Sequence, residues 1–78
     1  MIKVLIVEDE NLIRKGLVYA INWMAMDSVV VGEGKDGREG LEKIAQLKPD
    51  VVMTDIKMPK MSGIDMIARA QEQQLADF

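Results

Sequence analysis

The sequence predicts an α/β fold built from three strand–helix units around a parallel sheet. Three observations predict it: three short apolar runs, a helix-like pattern after each run, and turn residues between them. A continuous apolar run between turn residues is typical of a strand buried on both faces. Strands that alternate with helices form parallel sheets through right-handed crossovers, so we expect helices on both faces.

The first unit is predicted over residues 2–23. The run IKVLIV forms its strand, and residues 11–23 show the apolar spacing of an amphipathic helix. Arg14 and Lys15 lie off the apolar stripe, Gly16 within it suggests close packing on the sheet, and Trp23 is expected to pack at the helix end. The members of the stripe are Leu12, Ile13, Leu17, Ala20 and Ile21.

The second unit combines a strand over residues 28–32 with a helix over residues 37–47. The strand is predicted from its β-branched residues. Asp36 and Glu39 stand at the spacing of a capping-box variant, which indicates that the helix begins directly after Asp36.

The third unit begins with a strand over residues 51–55 that ends in a carboxylate, Asp55. Pro59 prevents a helix from running through the following loop, because proline lacks an N–H and restricts the residue before it. Ser62 is a suitable N-cap for a helix over residues 63–74. The apolar residues expected on the inner face of that helix are Ile64, Ile67 and Ala68.

Acidic residues follow two of these strands. If the first and third strands lie side by side, then Glu8, Asp9 and Asp55 meet at one edge of the sheet. Clustered carboxylates raise each other's pKa unless a cation compensates them, and oxygen ligands favour Mg²⁺. The alternative is that the acids of residues 8–10 only open a helix, where negative charge suits the helix dipole.

Three motifs carry a resemblance to a known family: VLIVEDE over residues 4–10, DGREGL over residues 36–41 and TDIKMPKMSGID over residues 54–65. Together they resemble the receiver domain of two-component response regulators. The resemblance implies a truncated flavodoxin-like receiver fold, (βα)₃, with sheet order 2-1-3. It implies that Asp55 is the phosphate acceptor. It also implies that Glu8, Asp9, Asp55 and the backbone carbonyl of Lys57 hold Mg²⁺.

The resemblance also implies partners. A histidine kinase would donate the phosphoryl group, and the chain would be a cytoplasmic regulatory domain rather than an enzyme. The INW of residues 21–23, with DIKMP over residues 55–59, resembles regulators that carry an AraC-type DNA-binding output domain. The family has five βα units, so residues 1–78 would form a partial receiver domain without the fourth-strand Ser/Thr and fifth-strand Lys. We therefore expect deficient switching.

Two other functions remain open at this stage. Gly32, Gly34 and Gly37 form a G-x-G-x-x-G pattern between a strand and a helix, as in dinucleotide-binding units. Against that alternative, Glu33 and Asp36 put negative charge where a pyrophosphate would bind. The second alternative is a non-signalling module that only self-associates. Order 2-1-3 leaves the third strand unpaired at an edge, so we expect a homodimer or oligomer.

Composition excludes several classes of function. The net charge of −3 provides no electrostatic footprint for nucleic acid, so this segment is not expected to bind it directly. No apolar run approaches the roughly 20 residues that span a membrane, and no signal peptide is recognisable. The absence of cysteine excludes a disulfide framework and a thiolate metal site.

Overall fold

The computed structural model describes residues 1–76 of the chain. Asp77 and Phe78, the last residues of the predicted partial domain, lie outside the described part. Strands and helices alternate in the predicted order. Their bounds are β1 Ile2–Val7, α1 Asn11–Tyr19, β2 Ser28–Gly34, α2 Gly37–Leu47, β3 Val51–Thr54 and α3 Gly63–Glu72, with a 3₁₀ turn at Trp23–Met26 before β2.

The three strands form one parallel sheet in the order β2-β1-β3, which confirms the predicted fold class and strand order. Val7, the last residue of β1, is level with Gly34 of β2 and with Thr54 of β3. The residues that follow β1 and β3 therefore leave the sheet next to each other. These residues are Glu8 and Asp55.

The core lies between β1 and the pair of helices α2 and α3, which pack against each other. Its fully buried members are Leu5, Val7, Ile44, Met66 and Ala70. Side chains of a strand alternate between the two faces of the sheet, so Val4 and Ile6 point to the opposite face, towards α1. Both are also buried.

The predicted single helix over residues 11–23 is wrong at its carboxyl end, because α1 stops at Tyr19. The side chain of Asn22 accepts a hydrogen bond from the Ala25 N–H and opens a separate 3₁₀ turn. A short polar side chain that bonds to its own backbone in this way competes with helix formation. Trp23 does pack at the helix end, where its Nε1–H donates to the carbonyl of Leu17 at 3.0 Å.

The packing of α1 also differs from expectation. None of its residues is buried, and Leu12 at the start of the predicted stripe is 84% exposed. Among residues 1–76, no atom outside the neighbouring backbone of α1 lies within 4 Å of a Cβ placed on Gly16, so the prediction that this glycine permits close packing is wrong. The helix faces the sheet only through a half-buried group that includes Arg14, Leu17 and Val18.

The inner face of α3 matches the prediction at Ile67, which packs against the core, but not at Ile64 or Ala68. Met66 and Ala70 are fully buried, whereas Ile64 is 64% exposed and Ala68 is also exposed. The reason is the contact of α3 with α2: the sulfur of Met66 lies over Gly40, which has no side chain to exclude it. Within residues 1–76, no helix is long and apolar enough to cross a lipid bilayer.

Candidate functional site

Three carboxylates converge at the carboxyl edge of the sheet. One oxygen from each of Glu8, Asp9 and Asp55 lies within 4.8 Å of the others. Glu8 is buried, while Asp9 and Asp55 are exposed. This arrangement is what parallel strands with level ends produce, and it places the cluster where open α/β sheets bind their ligands.

Asp55 is held by backbone contacts on both sides. Its N–H donates to the carbonyl of Val7 at 3.2 Å, and its Oδ1 accepts from the N–H of Ile56 at 2.8 Å. The first residue of α3, Gly63, donates to the Ile56 carbonyl at 2.8 Å. A Cβ at Gly63 would overlap the carbonyl oxygen of Asp55, so only glycine allows α3 to start this close to the acid.

Glu8 is held by similar backbone contacts and is the only buried acid of the three. Its N–H donates to the Gly34 carbonyl at 2.9 Å, and its Oε2 accepts from the N–H of Glu10 at 2.9 Å. The Glu10 N–H lowers the pKa of Glu8, but burial, a hydrogen bond with Asp9 and the charges of Asp55 and Asp9 outweigh it. The pKa of Glu8 is therefore raised, as expected for a carboxylate among uncompensated like charges.

The donor set fits a small hard cation. Within residues 1–76, no lysine or arginine forms an ion pair with Glu8, Asp9 or Asp55. Oxygen ligands at about 2.1 Å from Mg²⁺ lie about 3 to 4 Å from one another. A spread of up to 4.8 Å therefore suits direct contact by some of these acids and contact through water by another.

The loop of residues 55–62 is attached to the start of α2. Lys60, in the left-handed region at φ 69°, places its ammonium 3.6 Å from Oδ2 of Asp36. The carbonyl of Met61 lies against Gly37 so closely that a Cβ there would overlap it. Lys57 is exposed in the same loop, two residues after Asp55. The role of its backbone carbonyl as a metal ligand stays a prediction.

The G-x-G-x-x-G pattern has a packing explanation. Gly34 is the last residue of β2 and faces the backbone of Gly40, while Gly37 faces Met61. Asp36 caps α2 by accepting from the N–H of Glu39 at 2.8 Å. The loop and this cap cover the helix start where a pyrophosphate would bind, so the described residues give the dinucleotide alternative no support.

Arg14 is a site residue that the sequence did not indicate. Its Nη1 donates to the carbonyl of Glu8 at 2.7 Å, and its side chain is 12% exposed. Sequence periodicity placed Arg14 only off the apolar stripe. Its partners Glu8 and Glu33 lie 6 and 19 positions away, so no local pattern could have identified its contact with the site.

A family model of the response regulator receiver domain matches residues 4–77. The chain belongs to the response regulator receiver domain family. The resemblance inferred from its motifs is thereby confirmed. As a receiver domain, it is a regulatory module of a two-component system, in a family whose members interact with histidine kinases.

The chain is also similar to individual response regulators and to solved receiver structures. The transcriptional regulatory protein YesN of Bacillus subtilis is 36% identical over 69 residues, which are 88% of this chain and 19% of that protein. The receiver domain of AraT, a response regulator from Geobacillus stearothermophilus, superposes with a TM-score of 0.85 at 39% identity. That match covers 91% of this receiver chain and 55% of the AraT chain.

A third similar protein is a two-component transcriptional regulator, AraC, from Clostridium phytofermentans. It is 33% identical with a TM-score of 0.82, and the match covers 94% of this chain and 59% of that one. The receiver chain thus spans about a fifth of the first curated relative and somewhat over half of the solved receivers.

Proposed function

We propose that Asp55 accepts a phosphoryl group from a histidine kinase, with Mg²⁺ bound by the acids beside it. In this proposal Asp9, Asp55 and the Lys57 carbonyl contact the metal, and Glu8 does so through water. The observation that carries the proposal is the convergence of three carboxylates within 4.8 Å without a basic partner in the described residues.

The proposed chemistry is a phosphoryl transfer to a carboxylate. A carboxylate oxygen of Asp55 attacks the phosphorus of a phosphohistidine and the phosphorus–nitrogen bond breaks. The ring nitrogen leaves with the electron pair and takes up a proton from solvent, which gives neutral imidazole. An acyl phosphate on Asp55 is the product. A Mg²⁺ ion held by these residues would offset the charge between the carboxylates and the phosphoryl oxygens, and positioning would supply most of the remaining catalysis.

We further propose that residues 1–78 alone accept phosphoryl groups slowly and switch poorly. The Ser/Thr and Lys that receivers place on their fourth and fifth strands are not among these residues. Charge-assisted hydrogen bonds from such groups are the strong ones, so their loss leaves the transferred group with fewer partners. The proposed role is regulatory rather than enzymatic.

Intact mass spectrometry after incubation with acetyl phosphate and Mg²⁺ tests this function. We expect a substoichiometric phosphoryl adduct that disappears when Mg²⁺ is chelated and in Asp55→Asn. Asp65→Asn is the matched control, because Asp65 is an exposed acid on α3 outside the cluster. An adduct that persists in Asp55→Asn contradicts the assignment of Asp55, and a rapid stoichiometric adduct contradicts the proposed need for the further groups.

We propose that this receiver belongs to a transcription regulator whose output domain binds DNA. The receiver segment itself carries a net charge of −3 and is not proposed to contact nucleic acid. We propose a cytoplasmic location, where histidine kinases present their phosphohistidine.

Self-association is proposed through the free edge of β3. Val51 is 44% exposed and Met53 is 38% exposed on this strand, which pairs only with β1 among the described residues. An unpaired apolar edge is a template for another strand, and a two-fold dimer is the simplest closed arrangement. This surface is also what favours the self-associating module as the second candidate function.

A further inference from the structure

We propose that Arg14 is a positioning residue of the acidic site, which fixes the peptide between Glu8 and Asp9 for metal binding. The inference rests on the proposed function, because the position of this peptide matters only if the acids bind Mg²⁺. Arg14 itself touches neither a carboxylate of the cluster nor a reacting atom.

The guanidinium of Arg14 joins three parts of the fold. Nη1 donates to the carbonyl of Glu8 at 2.7 Å, Nε donates to Oε1 of Glu33 at 3.2 Å, and Nη2 donates to Oδ1 of Asn11 at 2.7 Å. Glu8 directly follows β1, Glu33 lies in β2, and Asn11 is the first residue of α1. With its side chain only 12% exposed, Arg14 holds one defined position.

The carbonyl of Glu8 belongs to the same planar peptide as the N–H of Asp9. Because that peptide is rigid, a hydrogen bond to the carbonyl also fixes the direction in which Asp9 leaves the strand. Asp9 is exposed, and no hydrogen bond of its own backbone to another element is found in the described residues. Arg14 therefore supplies the orientation that the Asp9 carboxylate needs in order to face Asp55.

Glu33 keeps the positive charge of Arg14 from neutralising the site. Its carboxylate accepts hydrogen bonds from Lys15 Nζ at 2.9 Å and from Arg14. Both bonds lower the pKa of Glu33, and the bond from Lys15 has the larger effect. Glu33 therefore stays ionised and balances the guanidinium. The three acids of the cluster remain without a basic partner and available to a cation.

Lysine cannot replace arginine at this position. The planar guanidinium presents donors in a fixed fork that reaches three acceptors at once, whereas an ammonium is a point charge on a flexible stem. Arg14→Lys keeps the charge but loses this geometry. Outer-shell partners of metal ligands typically change metal affinity by 10- to 100-fold when they are mutated, so we expect a loss of about 10-fold in Mg²⁺ affinity.

The test is a Mg²⁺ titration of isotopically labelled protein, followed by amide NMR. In Arg14→Lys we expect the dissociation constant to rise about 10-fold and the Asp9 amide to shift already without metal. Lys15→Met is the control. It removes the other cation bound to Glu33, and the Lys15 side chain makes no hydrogen bond to Glu8. We expect this variant to bind Mg²⁺ within about twofold of the unaltered chain, since the Glu8 peptide keeps its contact.

Asn11→Ala is the milder second variant if Arg14→Lys does not fold. It removes one of the three guanidinium contacts, at an exposed residue, and we expect an intermediate loss of affinity. Unchanged Mg²⁺ affinity in a folded Arg14→Lys or Asn11→Ala protein overturns the inference, as does an equal loss in Lys15→Met. Failure of the proposed function is distinguishable, because the unaltered chain would then show no saturable Mg²⁺ response.

Discussion

At the scale of single residues, the acidic cluster opposes folding as long as no cation balances it. Two unit charges about 4 to 5 Å apart repel by about 1 kcal/mol even in water, and by more where burial lowers the effective dielectric constant. Glu8 experiences the strongest effect, because it is 7% exposed while its neighbours Asp9 and Asp55 are open to solvent. A site that costs stability without its ligand is typical of a binding function.

The raised pKa of Glu8 predicts a pH dependence of stability. The folded state binds the Glu8 proton more tightly than the unfolded chain does. Glu8 therefore costs no stability below its unfolded pKa, near 4.5. The loss of stability grows as pH rises from there through the folded pKa. Urea unfolding of metal-free Glu8→Gln should therefore show a stability advantage over the unaltered chain that is larger at pH 7 than at pH 4.

Glu33 and Asp36 have lowered pKa values, so they add stability as pH rises. The quantity compared is therefore the difference in unfolding free energy between Glu8→Gln and the unaltered chain. Both proteins contain these groups, and their contributions cancel in the difference. An advantage of Glu8→Gln that does not change with pH would contradict the account of Glu8.

The residues of the cluster could be predicted, but their environments could not. Asp55 and Glu8 directly follow apolar strands, and parallel strands with level ends bring such residues together. The backbone of Glu8 is hydrogen-bonded to the Gly34 carbonyl and to the guanidinium of Arg14. Neither contact leaves a trace in local sequence spacing, so the sequence did not distinguish Glu8 from Asp9 or identify Arg14.

At the scale of secondary-structure elements, two helices begin on glycines that approach the site loop. Gly37 opens α2 against the carbonyl of Met61, and Gly63 opens α3 against the carbonyl of Asp55. Both contacts are to backbone, which cannot rotate away as a flexible side chain can. These glycines connect the geometry of the loop to the packing of the core.

Alanine substitutions separate this packing role from helix propensity. Gly37→Ala and Gly63→Ala should each lower the free energy of unfolding by about 1 to 3 kcal/mol, the usual effect of overpacking. Gly16→Ala is the matched control, since a Cβ there meets no other part of the described fold within 4 Å. Alanine also favours a helix by about 1 kcal/mol relative to glycine. Urea unfolding measures all three, and a destabilising Gly16→Ala would refute the described surroundings of α1.

The elements were predicted well where local signals agree and poorly where packing decides. The bounds of α2 match the prediction because the Asp36 cap and Pro49 delimit it on both sides. The inner face of α3 matched only at Ile67, since apolar residues occur on two sides of this helix. Contact with Gly40 selects Met66 for the core, and Ile64 is left exposed.

At the scale of the whole molecule, apolar surface remains uncovered on both faces and at the β3 edge. Leu12 and Ile64 are 84% and 64% exposed, and Val51, Val52 and Ile67 line an open groove beside the edge strand. Exposed apolar surface of this kind marks association sites.

Self-association should therefore depend on the β3 edge. Sedimentation equilibrium at micromolar concentration is expected to show dimers or larger species, and Met53→Lys should shift the chain towards monomer because edge lysines oppose strand pairing. Met24→Lys is the control, since Met24 is 67% exposed in the 3₁₀ turn and not on β3. A monomeric unaltered chain of 8.7 kDa that melts independently of concentration excludes this association.

We propose that Glu8, Asp9 and Asp55 form one divalent-cation site, and that Asp55 is also the phosphoryl acceptor. Paramagnetic broadening of amide NMR signals by substoichiometric Mn²⁺, with Mg²⁺ as competitor, measures this most directly. We predict that the signals of these acids and of residues 56–57 broaden first, recover on addition of Mg²⁺, and no longer broaden selectively in Asp55→Asn. Uniform broadening at exposed acids such as Glu42 and Glu72, unchanged by Asp55→Asn, would contradict the claim.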